Sequence, residues 1–247
     1  MRASNPSDGA DRRPPEEDAS ATARRGAAAR PPRPIEEDRP ADVREGGVGP
    51  WPGGRGAWPD DPRYDPALLE AGDRRNVVDR FRYWRVEAVR AELASRAHAL
   101  HVAIENVSQD LNIGSIVRTA NAFNVAAVHV VGRRRWNRRG AMVTDRYLPV
   151  DHPRDAAELA LHCARHGLAI VGVDNVRDSI ALEETILPAK ACLVFGSEAL
   201  GLSEEMLAAC DVVVAVTQRG STRSMNVGHA AAIVMWAHAT RLTAAGE

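Results

Sequence analysis

The 247-residue chain has few cysteines, and the three present are Cys163, Cys192 and Cys210. Their number is odd, and their spacing forms neither a zinc motif nor a disulfide framework. A reducing, cytoplasmic setting is therefore expected, and a metal is not. No apolar run is long enough to span a bilayer and no secretory signal is recognisable, so neither a membrane protein nor an exported one is expected. An excess of one charge is also lacking, the net charge being -1 at pH 7. The chain is no polycation, and any affinity for nucleic acid must come from a local patch. Lysine is all but absent, Lys190 being the only one. Nearly every cation is thus a guanidinium, whose planar fork can grip a phosphate through two parallel hydrogen bonds. The region expected to fold has no Walker or dinucleotide glycine signature, which argues against a phosphate-loop enzyme. It has no nucleophile elbow either, which argues against a hydrolase.

Proline is scarce beyond Ala67, since twelve of the fifteen prolines precede it. Residues 1–65 mix Pro, Gly, Ala, Arg and acidic residues without apolar periodicity, and read as a disordered tail. Within that tail, Gly53-Gly54-Arg55-Gly56 has no strand before it and no helix after it, so it is not a phosphate loop. A cut at about Arg74 is expected to leave the fold intact.

What is present lies in residues 74–247. Apolar residues make up 45% of the chain, enough for a sizeable core. Val77–Ala97 reads as an N-terminal helix. Apolar runs then alternate with helical stretches. The expected strands are Leu100–Ile104, Ala127–Val131, Leu168–Val173, Ala191–Phe195 and Val212–Val216. The expected helices are Ile113–Asn124, Arg154–His166, Glu204–Ala209 and Val227–Leu242. Such alternation predicts an α/β fold, a mostly parallel sheet with helices on both faces. Ligands of such sheets bind beyond the carboxyl ends of the strands.

Three segments follow those strand ends. The first is Asn112-Ile113-Gly114-Ser115-Ile116-Val117-Arg118. Ile113, Ile116, Val117 and Ala120 form a stripe toward the sheet, which would turn Gly114, Arg118 and Asn121 toward the mouth of a site. A helix N-terminus and an arginine one turn in suit a phosphate; Asn112 as a helix cap with a solvated Arg118 is the plainer reading. The second is Phe195-Gly196-Ser197-Glu198-Ala199-Leu200-Gly201-Leu202-Ser203. Its glycines let backbone approach a ligand, and Ser203 is placed to cap the next helix. The third is Ser224-Met225-Asn226-Val227-Gly228, where Ser224 or Asn226 can cap the last helix. A fourth segment, Arg133-Arg134-Arg135-Trp136-Asn137-Arg138-Arg139, puts five arginines around one tryptophan. It suits RNA, by phosphate contact and by stacking of a base; the bland reading is a solvated loop.

In this order, the first three segments resemble the motifs of the SpoU/TrmH family of SPOUT RNA methyltransferases, over roughly Leu100 to Leu242. That resemblance implies an α/β domain with a C-terminal trefoil knot, a rare exception to unknotted chains. It implies a homodimer that binds S-adenosylmethionine and methylates a ribose 2′-hydroxyl of tRNA or rRNA. By motif position, the cofactor falls to Gly196, Glu198, Gly201, Val216, Ser224 and Met225. The catalytic mouth falls to Asn112, Arg118, Glu198, Ser224 and Asn226. The family's arginine is often assigned as the base. A guanidinium stays protonated in ordinary surroundings, so Arg118 is better suited to clamping phosphate and stabilising a developing alkoxide. Two features depart from the pattern: Gly228-His229 after the third motif's Asn-Val, and Ala199-Leu200 in the second. The alternative is a non-catalytic RNA-binding protein of the same fold.

Overall fold

The computed structural model describes residues 47–245, apart from Asn106, Ser108, Arg133, Arg134 and Glu198. The expected tail therefore lies outside the described residues up to position 46. Its last part does not behave as expected, because residues 47–65 take defined positions. Trp51 packs edge-on against Tyr64 and Tyr83, and Tyr64 against Trp84. Val48 and Asp73 form an antiparallel bridge. The helix α1 (Pro66–Ala71) follows, capped by the Asp65 carboxylate and with proline in its first turn. The low apolar content of residues 47–65 hides this, since a few aromatic rings supply the packing. A cut at Arg74 would remove Trp51, Tyr64 and Asp73 from a packed cluster, contrary to expectation.

The N-terminal helix is also shorter than expected. Instead of Val77–Ala97, α2 covers Val86–Ala94, preceded by a 3-10 turn at Asp79–Phe81. Tyr83 interrupts the helix with a left-handed φ of 63°, a conformation that costs about 1–2 kcal/mol outside glycine. Asp73 holds it there: the Tyr83 N–H donates to the Asp73 carboxylate at 2.9 Å, and the Tyr83 hydroxyl donates to the Gly49 carbonyl at 2.6 Å. Arg75 grips the same carboxylate through two donors at 2.6 and 2.8 Å. Burial pushes the Asp73 pKa up, but the bonds from Arg75 and Tyr83 outweigh it and hold the group below the usual carboxylate range.

The remaining chain is a seven-stranded, wholly parallel sheet. Its strands are β1 (His98–Glu105), β2 (Val125–Val131), β3 (Val150–Asp151), β4 (Ala169–Val173), β5 (Ile180–Ala181), β6 (Ala191–Phe195) and β7 (Val212–Ala215), in the spatial order β3-β2-β1-β6-β4-β7-β5. The helices between them are α3 (Asp110–Ala122), α4 (Ala156–His166), α5 (Glu204–Ala209) and α6 (Val227–Ala245). The five expected strands and four expected helices are all present. The two missed strands, β3 and β5, are two residues long and leave no periodicity to read.

Both faces of the sheet are covered, as a continuous apolar strand requires. Leu100, Val102 and Ile104 of β1 and Leu193 and Phe195 of β6 point into a core shared with α3 and α6. Ala103, Cys192 and Val194 point the other way, to Leu159 and Cys163 of α4 and Met206 of α5. Each large buried side chain contributes roughly 1.5–3 kcal/mol. Among the described residues, no helix is long and apolar enough to cross a membrane.

The Asp73 bracket makes a pH-dependent prediction. Its folded-state pKa lies below the unfolded value of roughly 3.9, so its contribution is complete above that value. It is lost as pH falls through the folded-state pKa. Asp73→Asn is expected to lower the thermal midpoint by several degrees at pH 7. In calorimetry at descending pH, the gap between variant and parent should narrow below about pH 4. A gap that stays constant to pH 2.5 would contradict this account.

Candidate active site

Three adjacent strands, β6, β4 and β7, end at one edge and send out three loops there. Together the loops enclose a cavity of about 450 Å³, within the range of cofactor sites. The β4 loop contributes Asp174 and Asn175. The β6 loop contributes Gly196, Ser197, Leu200 and Gly201, and the β7 loop Val216, Arg223, Ser224 and Met225. Five of the six residues expected at the cofactor therefore line one cavity: Gly196, Gly201, Val216, Ser224 and Met225. The sixth, Glu198, lies outside the described residues.

The β6 loop is a tight hairpin. Ser197 and Gly201 exchange backbone hydrogen bonds at 3.0 and 2.9 Å, and the Ser197 hydroxyl accepts from the Leu200 N–H at 3.1 Å. A β-carbon at Gly196 would coincide with the Gly201 carbonyl, and one at Gly201, where φ is +70°, would coincide with the Asp174 carboxylate. Both glycines are therefore required by close backbone approach.

Two carboxylates that the sequence reading missed fasten this hairpin. Glu105, the last residue of β1, accepts from the Ser203 N–H at 2.9 Å and from the Ser203 hydroxyl at 2.7 Å. The same hydroxyl caps α5 by accepting from the Met206 N–H at 3.1 Å, as expected of Ser203. Asp174, directly after β4, accepts from the Leu202 N–H at 2.7 Å and from the Asn175 N–H at 2.7 Å. Asn175 in turn donates to the Arg223 carbonyl at 3.3 Å. An acidic residue closing an apolar run is the signal available for both.

The first and third motifs meet directly. The Asn226 side-chain amide donates to the Asn112 side-chain oxygen at 3.0 Å. Its own oxygen caps α6 by accepting from the Gly228 and His229 N–H groups at 2.9 and 3.3 Å. Asn112 is not a helix cap: α3 begins at Asp110, and Asn112 sits buried in its first turn. Gly114 does not face the mouth either, because a β-carbon there would lie 2.6 Å from the Gly140 backbone. Asn121 is at the far end of α3, beside Leu93 and Tyr147. Arg118 is exposed and makes no ion pair among the described residues. It does not line the cavity.

Of the arginine-rich segment, Arg133 and Arg134 lie outside the described residues, as does the Arg139 side chain. Arg135 is exposed. Arg138 pairs with Asp145 at 3.1 Å and leans over the Trp136 ring. Trp136 itself is buried in the α3–α6 core. Its ring anchors the loop and is not presented as a stacking platform, which corrects that part of the expectation. The chain returns over α3 here, and the Asn137 N–H donates to the Asp110 carboxylate at 2.9 Å.

A parallel α/β domain with a cofactor-sized cavity beyond its strand ends defines the class. Within it, residues 99–236 match the SpoU rRNA Methylase family, and the chain belongs to that family. It is 29% identical over 181 residues to a tRNA (guanosine(18)-2′-O)-methyltransferase of Borreliella burgdorferi, covering 72% of this chain and 82% of the relative. It is 27% identical to the enzyme of that name in Escherichia coli, covering 58% of this chain and 64% of the relative. The fold is similar to that of the SpoU methyltransferase AviRb from Streptomyces viridochromogenes, solved in complex with the cofactor AdoMet. There the TM-score is 0.53 at 23% identity, over 58% of this chain and 57% of that one.

The Asn112–Asn226 bond is testable by a double-mutant cycle. Asn226→Ala removes a cap and leaves Asn112 short of a partner, and should cost about 1–3 kcal/mol in denaturant unfolding. The coupling with Asn112→Ala should be about 0.5–1.5 kcal/mol; strict additivity would show that the two motifs do not support one another.

Proposed function

We propose that this chain transfers a methyl group from S-adenosylmethionine to a ribose 2′-hydroxyl of tRNA or rRNA. The observation that carries this reading is the cavity beyond β4, β6 and β7, whose walls are the second and third motifs. The backbone at Gly196, Gly201, Val216 and Met225, with the Ser224 hydroxyl, would hold the cofactor. The residues fit such a group, since the two glycines pack closely without side chains and leave a cavity of about 450 Å³ lined by backbone, small side chains and a few polar groups. When bound, S-adenosylmethionine supplies an electrophilic methyl group on a sulfonium centre.

The chain's own residues do the rest by positioning, which can supply a large share of the acceleration. Asn226 and Asn112 fix the entry of α6 against α3 beside the cavity. Arg118, exposed and without an ion-pair partner among the described residues, is available to clamp the phosphate next to the target ribose. Its guanidinium also stabilises negative charge developing on the 2′-oxygen. The proton then leaves through phosphate or water rather than to Arg118. Glu198 is retained in this proposal as a cofactor and mouth residue on motif position alone. Arg133, Arg134, Arg135, Arg138 and Arg139 would extend the phosphate contact along the RNA.

A homodimer with a C-terminal knot completes the proposal. Ile233 and Trp236, three residues apart on α6, stay exposed, as do Leu111 and Met142 beside the first motif. Apolar side chains of this size, gathered on α6 and around the start of α3, favour a partner of the same chain. The three free thiols fit a cytoplasmic setting.

Two substitutions separate binding from chemistry. Gly196→Ala displaces the hairpin, and should weaken S-adenosylmethionine binding at least tenfold by calorimetry while the sheet stays folded. Arg118→Ala should leave that affinity within about twofold and reduce methyl transfer into total tRNA and rRNA by at least about 100-fold. Label from the parent enzyme should appear in 2′-O-methyl nucleotides. Retained transfer by Arg118→Ala would remove the clamp from the mechanism. Cofactor binding without any RNA acceptor would favour the non-catalytic RNA-binding protein.

A further inference from the structure

Four of the eight histidines gather on the α4 side of the sheet. His101 comes from β1, His129 from β2, and His162 and His166 from successive turns of α4. The His101 and His129 rings lie 5.2 Å apart, His129 and His162 4.5 Å, and His162 and His166 4.2 Å, between centroids. One ring nitrogen from each of His101, His129 and His162 lies within 4.8 Å of the other two. No part of the proposed methyl transfer uses them.

We propose that His101, His129 and His162 bind one divalent transition-metal ion of the zinc type, with His166 closing its solvent side. Nitrogens around a tetrahedral zinc ion lie about 3.3 Å apart, given bonds of about 2.0–2.1 Å. The largest separation here needs to shrink by about 1.5 Å, a side-chain adjustment for the half-exposed His162. His101 Nδ1 and His129 Nε2 are 2.9 Å apart and share a hydrogen bond; the ion would replace its proton, which moves to the far nitrogen of the donor ring. An all-imidazole set suits zinc, copper, nickel or cobalt rather than calcium or magnesium.

Three further observations point to an ion rather than a ring stack. His162 Nε2 is buried without a hydrogen-bond partner, where a buried polar atom ordinarily has one. His166 Nδ1 lies 2.9 Å from the His162 carbonyl, which holds its ring against His162, 4.2 Å away between centroids, on the solvent side of the three ligands. Asp151 of β3 stands 3.8 Å behind His129 Nδ1, where a carboxylate raises ligand basicity. His166 is exposed, which leaves an entry path. The expectation of no metal rests on cysteine spacing, whereas these ligands come from three separate elements.

The ion would tie β1 and β2 to α4 at a site apart from the cavity residues, so its role is structural. The test uses the full chain without a histidine tag, stripped with chelator, then titrated with Zn²⁺ against a competing dye and with Co²⁺ by absorption. Expected are one equivalent bound, tetrahedral Co²⁺ bands in the visible, and a higher thermal midpoint with Zn²⁺. His162→Ala, on the half-exposed face of α4, should weaken binding by at least 30-fold and abolish the midpoint shift. His166→Ala should weaken it less. A folded parent protein that takes up no ion at 100 µM Zn²⁺ would overturn the proposal. So would binding that survives His162→Ala unchanged. Neither result bears on methyl transfer, so the two proposals fail separately.

Discussion

Glu105 ends β1 with its carboxylate buried, and both oxygens are committed to Ser203 across a separation of 98 residues. The cavity depends on this bracket. A hairpin of five residues cannot hold itself against a sheet edge, because most of its backbone groups point away from any ladder. Glu105 and Asp174 supply the missing partners from two strands that flank β6. They fix the two residues after Gly201, so the glycines can meet without a side chain between them. A buried carboxylate is costly to desolvate, and here hydrogen bonds from an N–H and a hydroxyl offset that cost.

Parallel strands make the arrangement possible. Every strand ends at the same edge, so loops distant in sequence become neighbours if their strands are. The order β1-β6-β4-β7 puts the first and second motifs side by side and the third two strands away. The last gap is closed by α6, whose first residues bring Asn226 back to Asn112 on α3. The Gly228 departure is explained at this point. A β-carbon there would stand 3.1 Å from the Asn226 side-chain oxygen and 3.4 Å from the Ser115 hydroxyl. A larger residue would therefore press on both the cap and α3 where the two helices start.

Much of the sheet was legible because its strands are buried on both faces and read as unbroken apolar runs. Ala191–Phe195 is an example in which both ends agree with the observed β6. The failures have separate causes. Tyr83 gives no sign of its left-handed backbone, because Asp73 imposes it from ten residues away. The order in residues 47–65 rests on Trp51 and Tyr64, two rings in a stretch otherwise rich in proline and charge. Trp136 was read by its arginine neighbours, yet its own burial decides its role. Among the site residues, the cavity walls followed from motif position. Glu105 and Asp174 did not, since an acidic residue at the end of an apolar run is equally a mark of the strand leaving the core.

The histidines show the same limit from another direction. His162 and His166 are one helical turn apart and could be paired from sequence. His101 and His129 sit in apolar strands, where a lone imidazole reads as a satisfied core residue. Only the register joins them: Ala103 lies opposite His129 on adjacent strands, so His101 faces it on the diagonal and on the same side of the sheet. That register also separates the two chemistries of β1. Its alternate residues reach the α3–α6 core, its intervening ones reach α4, and its final carboxylate reaches the β6 loop. A tie through His101 would therefore act on the strand that places Glu105. In this way β1 transmits packing on both faces to the edge where the cavity forms.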